Sequence, residues 1–261
     1  MPSPLQLLLD PVSLTVFALY GALLLWETLA PARALPHARF WRTRGLVAFV
    51  GFFFVSSYLP LLWSDWLAAY RLLDLTALGT IWGAVAGLVV YEAGVYVWHR
   101  TLHASDLLWR VFHQMHHSAE RIDAYGAFWF SPFDMIGWTA LFSLCLTVVA
   151  GITPEATVLV LYATTFLSVF QHANLRTPQW LGFIVQRPES HSAHHERGVH
   201  ARNYSDLPIF DIAFGTFHNP REFSAQAGFY DGASMRVAEM VRFRDVSQPS
   251  APAPLARAIE A

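Results

Sequence analysis

Histidine is the residue type most able to do chemistry here. The chain has 12 histidines in 261 residues, and imidazole is the commonest protein metal ligand. Most of them fall in tight groups: His99-Arg-Thr-Leu-His103, His113-Gln-Met-His116-His117, a single His172, and His191-Ser-Ala-His194-His195. Positions i, i+3 and i+4 of a helix share a face, so His99 and His103 are expected to project together, as is each triplet. Nine neutral imidazoles exceed the three or four protein ligands that one zinc ion takes. They suit two metals with about four or five ligands each. Di-iron carboxylate bundles use Glu-x-x-His pairs, and this sequence has none. A histidine-dominated two-metal site remains, with His99, His103, His113, His116, His117, His172, His191, His194 and His195 as its expected ligands. His200 and His218 stay open between ligand and bystander. His37, in an arginine-rich loop, is expected at a surface.

The elements that must position these groups are oily. Hydrophobic residues make up 54% of the chain and charged residues 14%, against about 25% charged in an ordinary soluble domain. Mean hydropathy is +0.35. These values exclude a water-soluble globular protein and a disordered one, and a net charge of −2 gives no support for nucleic-acid binding. The single cysteine, Cys145, excludes a disulfide framework, a cysteine-type zinc site and a c-type haem motif; its apolar surroundings make it a core residue. Five apolar stretches, 11–30, 45–63, 75–98, 135–151 and 155–170, approach the roughly 20 residues of a membrane span. The last two are short and are read either as a thin hairpin or as a re-entrant pair. No basic residue precedes Arg33, so the first stretch is expected to be a retained membrane segment rather than a secretory signal.

All 17 basic residues are arginine. If the first span runs inward, every arginine except Arg71 falls on the cytoplasmic side, as the positive-inside rule describes, and all the histidine groups fall there too. The aromatic segments 125–138 and 178–185 are read either as interfacial or as core. The Ser-, Pro- and Ala-rich stretch 246–261 is expected to be a disordered tail. The expected fold is therefore all-α, a single domain over 1–245. A membrane stem of four to five apolar segments would carry a cytoplasmic, helical, histidine-rich metal cap built from 99–134 and 171–245.

The three histidine boxes resemble the signature of the fatty acid hydroxylase/sterol desaturase superfamily, integral-membrane di-iron oxygenases. The similarity runs from about Gly83 to Phe217. It takes in Gln171-His172-Ala173-Asn174, Arg202-Asn203-Tyr204, and Asp211 followed by Phe214-Gly215-Thr216. Ser205 stands where the family commonly has Gly, and Phe210 where it often has Trp; these departures bear on the subfamily. The resemblance implies two iron ions at the nine histidines, with zinc as a substitute in purified protein. Zinc has no redox couple for oxidising a C–H bond, whereas imidazole suits iron. It further implies O2-dependent hydroxylation or desaturation of a membrane lipid such as a fatty acyl chain or sterol. The sequence has no cysteine cluster, so electrons are expected from a separate donor protein. The expected setting is a multi-pass protein of a bacterial inner membrane.

Several polar residues are candidates to support the ligands. Glu92, Tyr96, His99 and His103 are spaced to share one helix face, and an ionisable residue within a span is expensive. Glu92 either lines the approach to the metals or is a hydrogen-bonded group within the bundle. Thr165, Ser168 and His172 share another face. Asp106, Asp123, Asp134, Glu189, Glu196, Asn174 and Asp211 are candidates to accept the second N–H of a ligand imidazole. The resemblance adds Asn203 and Tyr204 as supports. Rival readings are a membrane b-type cytochrome, a zinc-dependent membrane hydrolase and a non-catalytic metal-binding or transport protein. Paired haem ligands leave the tight triplets unexplained.

Overall fold

A computed structural model of the chain describes residues 1–249, which are helical apart from loops and one isolated bridge between Glu196 and Ala227. The short α1 (Pro4–Leu9) breaks at Asp10, whose carboxylate accepts the Val12 N–H and starts α2 (Pro11–Leu29). Pro11 sits in the first turn, where a missing N–H costs nothing. α3 (Trp41–Tyr58) leads across Leu59 into α4 (Pro60–Ala68). A 3-10 turn (Thr76–Leu78) opens α5 (Gly79–Ala104), the longest helix at 26 residues. Then come α6 (Asp106–Leu108), a π-helical segment (Trp109–His113) and α7 (Gln114–His117). α8 (Pro132–Ser143) is capped by the Ser131 hydroxyl and continues as a second π segment (Leu144–Ala150). α9 (Pro154–His172), capped by Thr153, runs back. The short α10 (Pro188–His194), α11 (Ile209–Ala213) and α12 (Val237–Met240) complete the cap.

Among the described residues, four stretches are long and apolar enough to cross a membrane: Pro11–Leu29, Trp41–Ala68, Thr76–Ala104 and Pro132–Ala150. α9 is the inner helix and packs mainly on α5 and α2. The two arms of 135–170 are each 19 residues long as helices, about 28 Å at 1.5 Å per residue. That approaches the roughly 30 Å hydrocarbon core, though among the described residues only the first arm is also apolar enough to count as a candidate span. Apolarity alone understated the length of the arms, because both carry polar ends such as Asp134 and Gln171-His172. Gly151, in the left-handed region at φ 58°, reverses the chain between them. α5 comes close to its neighbours where side chains are absent: a Cβ on Gly87 would lie 2.7 Å from Ile152 Cδ1.

The stem and cap share one aromatic core. Tyr20 stacks on Phe49 at 4.1 Å, and Phe49 meets Phe128 at 5.6 Å. Segment 125–138 is therefore largely core, with Phe128 and Trp129 buried, whereas Trp180 and Phe183 of 178–185 are exposed. Arginines gather at the histidine end, where Arg33 donates to Ser224 O at 2.6 Å and Arg44 to Ser234 O at 2.7 Å. Arg71 lies at the opposite end, its stem against Gly151. Val246, the first residue of the expected tail, is fully buried in a cluster with Met115, Trp129 and Met240. Residues 250–261 of that tail lie outside the described residues.

Candidate metal centre

Five elements deliver the nine expected ligands to one layer. α5 ends in His99 and His103; the π segment and α7 bring His113, His116 and His117. α9 ends at His172, and α10 with its C-cap brings His191, His194 and His195. They form two groups. His99, His103, His113, His117 and His194 make one; His116, His172, His191 and His195 make the other. Within each group every residue offers a ligand atom within 4.8 Å of all the others.

The triplets thus do not project as single faces. Each splits two to one, with His113 and His117 in the first group and His116 in the second. Likewise His191 and His195 join the second group and His194 the first. The reason is angular. Residues i and i+4 nearly eclipse, while consecutive residues point about 100° apart. The rings of His116 and His117 are at 86° to each other, and those of His194 and His195 at 85°. The groups touch where His117 stacks on His195, with centroids 4.1 Å apart.

Hydrogen bonds at Nδ1 fix which nitrogen is free in four of the rings. His99 Nδ1 donates to Tyr204 O at 2.8 Å, His172 Nδ1 to Ser168 O at 2.6 Å and His194 Nδ1 to Arg202 O at 2.7 Å. His113 Nδ1 faces Asp134 Oδ2 at 3.4 Å. The protons then sit on Nδ1, and the Nε2 atoms carry lone pairs. Yet His99 Nε2 and His113 Nε2 lie 2.9 Å apart. In the second group, His172 Nε2 lies 3.1 Å from His116 Nε2 and 2.9 Å from His191 Nε2. Between His99 and His113, both bonded through Nδ1, converging lone pairs at that distance repel, and a cation between them makes the arrangement favourable. His103, His117 and His194 also have buried Nε2 atoms without a hydrogen-bond partner. Metal–imidazole bonds of about 2 Å put two ligand atoms on one ion up to about 4 Å apart, so both groups suit a metal ion. Burial, reinforced by the neighbouring rings, holds His113, His116, His117, His191, His194 and His195 well below the usual imidazole range. They are therefore neutral and available as ligands.

The supports are mostly main-chain. Three of the five described non-glycine residues in the left-handed region, His200, Arg202 and Asn203, shape the loop that aims Arg202 O and Tyr204 O at the rings. Asn203 holds this loop, its Nδ2 donating to Ser190 O and His218 O while its Oδ1 accepts the His218 N–H. Asp211 accepts the Tyr204 and Ser205 N–H groups.

Of the seven candidate acceptors, Asp134 alone faces a ring nitrogen among the described residues. Asp123 caps a turn and holds the Trp41 indole, Glu189 binds Thr177 and Arg187, and Asn174 binds Arg33 O. Asp106 and His37 are exposed, and Glu196 is half-buried in the isolated bridge. His200 lies outside both groups, but its Nδ1 is 3.0 Å from His117 Nδ1. His218 joins neither group.

A cavity of about 610 Å³ runs from the histidines down the bundle. His99, His113, His116, His172 and His191 line its upper end, and Phe49, Phe128, Phe142 and Leu146 its middle. Glu92 is not among the lining residues, which corrects the idea that it borders the approach. Its Oε2 instead accepts the N–H groups of Asp206 and Leu207, bracing the loop behind the wall. Asp206 does line the cavity, and sequence reasoning missed it because only the fold brings residue 206 beside α9.

A fatty acid hydroxylase family model matches residues 84–216, a stretch that contains all nine clustered histidines. The chain is 33% identical over 141 residues to the ornithine lipid hydroxylase OlsE of Rhizobium tropici, covering 52% of this chain and 42% of that protein. It is 26% identical over 136 residues to the sphingolipid C4-hydroxylase sur2 of Schizosaccharomyces pombe, covering 51% and 46%. It is also 26% identical over 137 residues to sphinganine C4-monooxygenase 1 of Arabidopsis thaliana, covering 51% and 53%. The match thus spans about half the length of these relatives. No solved structure matches. The family model covers half of the chain and every histidine of both groups, and the chain belongs to the fatty acid hydroxylase family.

Proposed function

We propose that the chain is a membrane-bound oxygenase that hydroxylates a lipid at two iron ions. His99, His103, His113, His117 and His194 hold one, and His116, His172, His191 and His195 the other. The observation that carries this reading is the convergence of two groups of neutral imidazoles at the end of a largely apolar cavity. When bound, the irons supply the redox chemistry an unactivated C–H bond requires, drawing on O2 and on electrons from a separate donor protein. The chain's own groups do the positioning. The carbonyls of Ser168, Arg202 and Tyr204 and the Asp134 carboxylate take the Nδ1 protons, fixing tautomer and ring orientation. Phe49, Phe128, Phe142 and Leu146 surround the hydrocarbon and keep water out. The arginines at the histidine end support a cytoplasmic cap by the positive-inside rule, where a soluble donor could reach it.

The relatives' names, ornithine lipid hydroxylase, sphingolipid C4-hydroxylase and sphinganine C4-monooxygenase, favour hydroxylation over desaturation and a polar lipid over a sterol. Purified protein, supplied with a reductant and heavy-isotope dioxygen in native lipids, tests this. The expected product is a lipid that has gained one oxygen from dioxygen, made by protein holding iron at both groups. Loss of two hydrogens without gain of oxygen would mean desaturation. A protein active only with zinc, consuming no oxygen and cleaving an ester or amide, would overturn the oxygenase reading.

A further inference from the structure

Asp206 places a carboxylate in the cavity wall at the histidine end, and nothing cationic answers it. The residue is 8% exposed and lines the cavity beside Ser168, Gln171 and His172. Both oxygens are held by neutral donors: Gln171 Nε2 at 2.7 Å on Oδ1 and Ser168 Oγ at 3.2 Å on Oδ2. Behind it lies Glu92, fully buried, with Oε2 on the backbone of Asp206 and Leu207 and Oε1 without any partner. Among the described residues, no arginine or histidine forms an ion pair with either carboxylate. Taking carboxylates out of water without a countercharge is costly. Burial pushes the Asp206 carboxyl up to about 6, and a cation bound beside it would favour the ionised form.

We propose that Asp206 binds the protonated amino group of a single-chain lipid amine. The ammonium donates to Asp206 between Ser168 and Gln171, and the hydrocarbon runs down the apolar cavity past Phe142 and Leu146. A volume of about 610 Å³ is that of a site for one compact ligand, enough for one chain rather than two. Ser168 ties this subsite to the metal centre, because its hydroxyl donates to Asp206 while its carbonyl accepts His172 Nδ1. The amine is thereby held about one helical turn from a ligand of the second group. The inference rests on the oxygenase reading, deepens it to a substrate class, and makes Asp206 a specificity-determining residue.

Binding without turnover tests it. The full-length, metal-loaded protein in phosphatidylcholine nanodiscs is titrated with radiolabelled hexadecylamine, and separately with hexadecanol and hexadecyltrimethylammonium. The unaltered chain should bind the amine at least about tenfold more tightly than the alcohol, as a charge-assisted hydrogen bond provides. It should also prefer the amine to the trimethylammonium compound, which carries the charge but cannot donate. Asp206→Asn should bring amine and alcohol within about twofold of each other without weakening alcohol binding, and Asp206→Glu should keep the preference. Equal affinity for amine and alcohol in the unaltered chain, or a preference surviving in Asp206→Asn, overturns the proposal. If Asp206→Asn does not fold, the three-ligand comparison in the unaltered chain still decides. Iron content and oxygen incorporation are measured separately, so an intact amine preference without oxygenase chemistry would fault the functional reading alone.

Discussion

His99 Nδ1 donates to the carbonyl of Tyr204 at 2.8 Å, a bond that joins positions 105 residues apart. It locks the end of α5 to the loop after α10; His194 bonds to Arg202 O of the same loop, so the first and third histidine boxes depend on one loop, and His99 on its Tyr204 carbonyl. That carbonyl is placed by Asn203, which is held at φ 50° and whose side chain makes three hydrogen bonds across the loop. Asn tolerates the left-handed region better than other side chains except glycine. Asn203→Ala should therefore misplace both Tyr204 O and Arg202 O. The expected result is a metal affinity lowered about 10–100-fold, as for other outer partners of metal ligands, measured by competition with a chelator. Unchanged affinity would mean that the loop does not orient the rings.

The division of the boxes into groups of five and four makes the single-ligand variants unequal in effect. His194→Ala removes a member of the five-histidine group and His116→Ala one of the four-histidine group. Each should abolish lipid turnover and empty mainly its own site, with the four-histidine site losing its ion more completely because fewer ligands remain. Metal analysis of protein still inserted in the membrane reads this directly. Full occupancy in both variants would defeat the ligand assignment.

Among the described residues, Asp134 is the one acidic side chain that faces a ligand ring nitrogen, at 3.4 Å from His113 Nδ1. Asp134→Asn keeps the shape and an acceptor oxygen but removes the charge that strengthens the bond. Activity should fall about 10-fold or more with the fold intact, and Asp134→Ala should fall further. Equal activity in the unaltered protein and both variants would show that His113 is oriented by packing alone.

What the sequence made legible was the part carried by side-chain type. The histidine spacing named the nine residues that converge, and apolarity located the long helices. The division of each triplet was not legible, because His116 and His117 differ only in the direction each leaves its helix. Main-chain acceptors such as Ser168 O, Arg202 O and Tyr204 O have no signature in residue identity, so carboxylates were sought in their place. Asp206 and Glu27 escaped notice for a related reason. Each acts on segments far along the chain, and a lone acid near a helix end reads as an ordinary surface charge.

Glu27, near the end of α2, accepts the N–H groups of Ala124 and Asn174 on Oε2, at 2.7 and 2.9 Å. One carboxylate thus ties the first long helix to the loops after the second histidine box and after His172. Glu27→Gln keeps an acceptor oxygen and should be mild. Glu27→Ala leaves two buried donors unpaired, at about 1–3 kcal/mol each. Thermal unfolding in detergent should show a clear drop in Tm for Glu27→Ala and a small one for Glu27→Gln. Equal behaviour of the two variants would mean that water replaces the carboxylate at no cost.

Acid should destabilise the metal-free protein, and the sign follows from the buried rings. Folding holds His113, His116, His117, His191, His194 and His195 well below their ordinary value of 6.5. Below about pH 6.5 the unfolded chain therefore binds protons that the folded chain refuses, and stability falls as pH falls. Each group contributes up to about 1.4 kcal/mol per pH unit over that window. Asp206 acts the other way. Its carboxyl, at about 6 when folded against 3.8 ordinarily, favours the folded chain as it protonates, and burial raises the Asp211 carboxyl likewise; outside the spans these are two carboxyls against at least six imidazoles. Tm of chelator-stripped protein should be level above about pH 7 and decline steadily below about pH 6.5. Bound metal should move the decline to lower pH, because protons must then displace the metal from neutral ligands. A Tm that is flat or rising from neutral to acid pH in the stripped protein would contradict a set of buried neutral imidazoles.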